Sequence, residues 1–105
     1  MGDVSMARVS GDMDYQTASA LDAQFTGLIA GSGPFVVLDL SAVTFCDSAG
    51  LSVLLRAWRL ADAAGAVLVL ACVPEPLRRV LAMTGADHVL RVFGTVTDAA
   101  ADYGG

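Results

Sequence analysis

The stretch Phe35-Val36-Val37-Leu38-Asp39-Leu40, continued by Ser41-Ala42-Val43-Thr44-Phe45-Cys46-Asp47-Ser48-Ala49-Gly50-Leu51, joins a strand pattern to a helix pattern. Its first part is apolar at every position but Asp39 and rich in valine and leucine, which predicts a strand covered on both faces. The turn-forming Gly31-Ser32-Gly33-Pro34 marks its start. Leu51, Leu54, Leu55 and Trp58 then fall at i, i+3, i+4 and i+7, the stripe of a helix with Arg56 and Arg59 turned outward and Gly65 as its stop. The residues from Ser41 to Leu51 read as the loop between the two elements, with Leu51 opening the helical stripe. A buried strand feeding a helix is the unit from which parallel sheets are made.

The same grammar extends in both directions. Ala66-Val67-Leu68-Val69-Leu70-Ala71, directly after Gly65, predicts a second buried strand. Val4 to Val9 predicts a less regular strand, and Val89 to Phe93 a short one near a sheet edge. Leu21, Phe25, Leu28 and Ile29 form one helical stripe that Asp14 is placed to cap. Pro76 suits the first turn of another helix carrying Leu77, Val80 and Leu81 and ending at Gly85. A short alanine-rich helix is expected from Thr97 toward Tyr103. The resulting order, β-α-β-α-β-α-β-α, predicts an α/β fold: a mostly parallel sheet of about four strands with about four helices and right-handed crossovers.

Length and composition bound the function. The 105 residues fit one domain spanning 1–105, and 55% hydrophobic residues suffice for a compact core in so short a chain. The net charge is −5 and all six basic residues are arginines (Arg8, Arg56, Arg59, Arg78, Arg79 and Arg91), never more than two together. An acidic surface without a basic run predicts binding neither to nucleic acid nor to an anionic membrane. The charge-free stretch Ala63 to Pro74 is far short of the ~20 residues a spanning helix needs, and no apolar region follows Met1-Gly2-Asp3. A cytosolic protein is expected. Cys46, Cys72 and His88 are too few and too scattered for a zinc site, so no metal and no cofactor is predicted. Each cysteine ends an apolar run and reads as a small core hydrophobe with a reduced thiol.

In open parallel sheets the working surface lies at the carboxyl ends of the strands, which directs attention to the segment after Leu40. Ser48 precedes the Leu51 stripe by three residues and is placed to cap that helix. Asp47 adds a carboxylate beside the positive end of the helix dipole, and Gly50 permits close approach of another surface. Taken locally, Ser48 reads as a helix cap with no further role.

The wider pattern gives it one. Asp39-Leu40-Ser41, Phe45-Cys46-Asp47-Ser48-Ala49-Gly50-Leu51, the Trp58 helix and Gly65 together resemble the STAS domain, and within it the single-domain bacterial anti-sigma factor antagonists. Ser10-Gly11-Asp12-Met13-Asp14 with Thr17-Ala18 is similar to that family's Gly-Glu-Leu-Asp…Thr-Ala. Leu77-Arg78-Arg79-Val80-Leu81-Ala82-Met83-Thr84-Gly85 resembles its third helix and turn. The resemblance implies that the serine after the aspartate, here Ser48, is phosphorylated by an anti-sigma factor that is also a serine kinase. It implies that the unmodified form binds this kinase and releases a sigma factor, and that the phosphorylated form does not. Asp14, Asp47, Ser48, Ala49, Gly50 and Leu51 are the expected partner-binding residues, with Asp14 and Asp47 shaping the field around the hydroxyl. Ala49 stands where the family usually carries a second serine, which leaves the acceptor intact and removes its nearest competitor. Cys46 replaces an aliphatic residue and Ser52 a frequent glycine, both mild changes. The short N-terminus implies a single strand in place of an opening hairpin.

Other readings follow from the same residues. Catalysis by Ser48 would require a base, and His88 lies far along the chain with no G-x-S-x-G elbow or phosphate loop present. No enzyme activity is expected. STAS domains also serve as scaffold subunits of stress-signalling complexes and as cytosolic subunits of transporters, and fold alone does not separate these roles. A monomer or weak dimer is expected. Asp39 reads as readily as a carboxylate satisfied by nearby loop N–H groups as it does as a functional one.

Overall fold

A computed structural model describes residues 4–31 and 33–104. The elements are β1 (Val4–Met13), α1 (Ala18–Ala30), β2 (Phe35–Cys46), α2 (Ser48–Ala63), β3 (Val67–Ala71), α3 (Glu75–Thr84), β4 (Val92–Phe93) and α4 (Val96–Gly104), with a single 3-10 turn at Ala86–His88. The order β-α-β-α-β-α-β-α is the expected one. All three strand pairings are parallel, and the sheet order β1-β2-β3-β4 repeats the chain order.

Sequential parallel pairing lets α1, α2 and α3 cover one face of the sheet, and the core records this. Val36, Leu38 and Leu40 of β2 and Leu68 and Leu70 of β3 pack with Leu21 and Phe25 of α1, Leu51 and Leu54 of α2, and Leu77 and Leu81 of α3. The alternate residues Phe35, Val37, Val69 and Ala71 face the other way, where Ala99 of α4 closes a smaller core. Burial on both faces is why Phe35 to Leu40 reads as a continuous apolar run. At the end of α2, Gly65 adopts φ +78°, and the N–H groups of Gly65 and Ala66 bond the carbonyls of Asp62 and Ala61. That closing geometry makes Gly65 the predicted stop.

Four details depart from the sequence reading. The segment Ser41 to Cys46 is not a loop but the second half of β2. It pairs with an equally extended β1 through Ser10↔Ala42, Gly11↔Val43, Asp12↔Phe45 and Met13↔Cys46. Two register shifts, between Arg8 and Ser10 and between Gly11 and Asp12, interrupt this ladder. Serine, glycine and aspartate are poor strand formers, so pairing with the neighbour imposes the extension that local preference hides. Secondly, β4 is only Val92–Phe93, because residues after Gly85 are spent on the tight turn bonds of His88 to Gly85 and of Val89 and Leu90 to Ala86. Thirdly, Asp14 does not cap α1 directly. Its Oδ1 accepts from the N–H groups of Gln16 and Thr17 (both 3.0 Å), closing a turn just before the helix begins. Lastly, both cysteines are half-buried rather than fully buried.

Candidate phosphoacceptor and docking site

The carboxyl ends of β1 and β2 bring the predicted site residues to one end of the sheet. Residue 47 has extended backbone (φ −102°, ψ −170°) and ends β2, after which α2 starts at Ser48. The cap of α2 is Asp47, not Ser48: Asp47 Oδ1 accepts from the N–H of Ala49 (2.9 Å) and of Gly50 (3.1 Å). Aspartate and serine cap equally well, so spacing alone could not decide between adjacent candidates. The consequence for Ser48 is direct. It is the first residue of the helix, exposed, with its hydroxyl not engaged in closing the helix end.

Asp47 also joins the start of α2 to the turn that follows β1. Its Oδ2 accepts from the Tyr15 N–H at 3.2 Å, and its own N–H donates to the Met13 carbonyl at 3.1 Å. Next to this seam, Gly50 lies flush on β1, where a β-carbon would collide with the Met13 carbonyl oxygen. Glycine is needed at 50 for close approach, as its position suggested, but the surface approached is the chain's own first strand. Gly50 and Leu51 are buried, so they shape the site from beneath, while Ser48 is exposed and Asp14, Asp47 and Ala49 are half-buried.

The turn on the β1 side is held by its own polar network. Thr17 Oγ1 accepts from the Asp14 N–H (2.9 Å) and donates to the Asp12 carbonyl (2.8 Å). One strand over, Thr44 Oγ1 donates to Asp12 Oδ1 at 2.8 Å. Asp12 and Thr44 were not singled out by sequence, and the pairing of the two strand extensions is the signal that would have found them. Half-buried Cys46 is the closest thiol to this site, and its pKa is pushed up to about 11 by burial and by the Asp47 charge. A thiol so protonated is a poor nucleophile. Asp39, at 5% exposure, sits deeper in β2. Its Oδ1 accepts from the Ser41 N–H (2.9 Å) and its Oδ2 faces Arg8 Nε (3.4 Å). The Ser41 N–H, followed by Arg8, holds its carboxyl below the ordinary value of 3.8. Those contacts assign Asp39 a structural role.

Two features lie at the margins. A small groove of about 160 Å³ runs between the end of β2 and the start of α3, with Phe45, Pro74, Pro76 and Leu77 among its lining residues. Among the described residues no cluster of three or more His, Cys, Asp or Glu is arranged to hold a metal ion.

A model of the STAS domain matches residues 2–99. The chain belongs to the STAS domain family. This STAS domain is 31% identical over 98 residues to the anti-sigma-F factor antagonist RsfB of Mycobacterium tuberculosis, covering 91% of this chain and 78% of that one. The crystal structure of an anti-sigma factor antagonist from Mycobacterium paratuberculosis superposes with a TM-score of 0.84 at 31% identity, over 97% of this chain and 86% of the other. A sulfate transporter family protein from Wolinella succinogenes shares the fold (TM-score 0.80, 22% identity, 94% of this chain and 83% of that one). No helix among the described residues of this STAS domain is long and apolar enough to cross a membrane.

Proposed function

We propose that this STAS domain is an anti-sigma factor antagonist controlled by phosphorylation of Ser48. In its unmodified state it binds an anti-sigma factor with serine kinase activity, and a sigma factor is released. The relatives named as antagonists support the class, and the observation that carries the site is the exposed Ser48 hydroxyl left over once Asp47 has capped α2. Asp14, Asp47, Ser48 and Ala49 form the docking surface, supported from within by Gly50 and Leu51. The protein works in the cytoplasm as a monomer or weak dimer and contacts neither nucleic acid nor membrane.

In the transfer, Ser48 Oγ bonds to the γ-phosphorus of ATP held by the kinase, ADP leaves, and the hydroxyl proton passes to a base of the kinase. The product carries about −1.5 to −2 charge at the first residue of α2. A helix N-terminus ordinarily welcomes a phosphate, but here the Ala49 and Gly50 N–H groups are already bonded to Asp47. The new charge therefore adds to a carboxylate at the surface that must dock. Repulsion and desolvation at a buried contact suffice to change affinity about a hundredfold without refolding the domain.

Incubation with ATP and an anti-sigma kinase, followed by mass mapping, tests the reading. One phosphate at Ser48, absent in Ser48→Ala, is expected; modification elsewhere overturns it. In binding, Ser48→Ala retains affinity and Ser48→Asp loses about a hundredfold. Equal affinity of the two variants would remove the electrostatic mechanism.

A further inference from the structure

We infer that Tyr15 is a specificity-determining anchor for the kinase that modifies Ser48. This rests on the reading of Ser48 as phosphoacceptor and adds the residue through which the partner is chosen. Tyr15 is 83% exposed, the most exposed aromatic side chain among the described residues whose burial is known. A large ring left in water is unremarkable on a mobile segment, but this one stands on a fixed base. Its N–H is bonded to Asp47 Oδ2, the carboxylate of the residue preceding Ser48. The turn beneath it is closed by Asp14 Oδ1 on the N–H groups of Gln16 and Thr17 and by Thr17 Oγ1 on the Asp12 carbonyl.

The backbone carrying the ring is thus tied to the backbone carrying the acceptor hydroxyl. The Tyr15 main chain is held by one hydrogen bond to the side chain of the residue that precedes Ser48. A rigid aromatic loses little conformational entropy when it docks, and tyrosine is enriched among the few residues that dominate interface energetics. The fold makes no use of the ring, so the position is free to be tuned to a partner. Phe45 is also 54% exposed, and it lines the groove against α3. Only Tyr15 is held by a bond to the capping carboxylate itself. The chemistry it fits is an apolar pocket beside the nucleotide site of the kinase, since a ring on a turn inserts where a flat surface would not.

The test compares wild-type protein, Tyr15→Ala, Tyr15→Phe and Met83→Ala as substrates of an anti-sigma kinase that phosphorylates Ser48. Dissociation constants are measured without ATP, and KM and kcat with it. Tyr15→Ala is expected to raise the dissociation constant and KM about tenfold or more while leaving kcat within about threefold. Tyr15→Phe should stay near wild type. Met83, 84% exposed at the last turn of α3, controls for loss of any exposed apolar side chain, and its variant should bind normally. Unchanged binding by Tyr15→Ala, or equal weakening by Met83→Ala, overturns the inference while Ser48 phosphorylation stands. Failure of the wild-type chain to be phosphorylated at Ser48 by any such kinase overturns the underlying reading instead.

Discussion

The two halves of β2 are one continuous strand with opposite characters. From Phe35 to Leu40 every residue is buried, the ladder to β1 is regular as far as Asp39, and β3 pairs alongside from Phe35 to Asp39. From Ser41 to Cys46 there is no β3 partner, the pairing with β1 shifts register twice, and Ser41, Thr44 and Phe45 are exposed. The first half is enclosed by the core, whereas in the second half only Val43 is buried and a side-chain hydrogen bond from Thr44 to Asp12 ties the strand to β1. One half fixes the fold, and the other carries side chains out to where a partner can reach them. A fully buried segment and a more exposed one thus follow each other along a single strand.

Substitutions in the two halves should separate these roles. Leu38, with no exposed surface, is expected to give the largest effect: Leu38→Ala costs about 2–5 kcal/mol by chemical denaturation. A cost below that of a surface change would break the comparison. Beyond the other end of the strand, Asp47→Ala removes the cap and the link to Tyr15 and should cost about 1–2 kcal/mol in the same measurement. It should also slow modification of Ser48 more than the lost stability explains.

Acid melting sharpens the contrast further. Asp39 is held below its ordinary pKa by the Ser41 N–H and Arg8, so its contribution is present above the unfolded value and is lost as pH falls through the lower folded value. Melting temperature followed across acid pH should drop less steeply in Asp39→Asn than in the wild type, from a lower starting stability. Ser48→Ala should be the mildest, within about 0.5 kcal/mol of wild type, because the side chain neither caps nor packs. A larger loss would show that the hydroxyl supports the helix after all.

What could be read in advance follows the same division. Continuous apolar runs and helical stripes made the element order and the parallel sheet legible, because burial leaves a periodic trace in residue type. The second half of β2 left none, since Ser41, Thr44 and the facing Ser10, Gly11 and Asp12 are strand residues only by virtue of pairing. Ser48 was singled out through its sequence context, yet the capping role expected of it belongs to its neighbour Asp47. Adjacent polar residues at a helix start cannot be ordered without the backbone angles. Tyr15 escaped notice because nothing in its own identity shows that its amide is fastened to a helix-capping carboxylate more than thirty residues away.

The flush contact of Gly50 with Met13 has a consequence for synthesis of the protein. Ser48 acquires its place only when the first strand, made early, is met by the start of α2, made much later. Domains emerge from the ribosome N-terminal part first, so an incomplete chain has the serine without its setting. The seam can therefore form only on molecules that have finished assembling their first β-α-β unit.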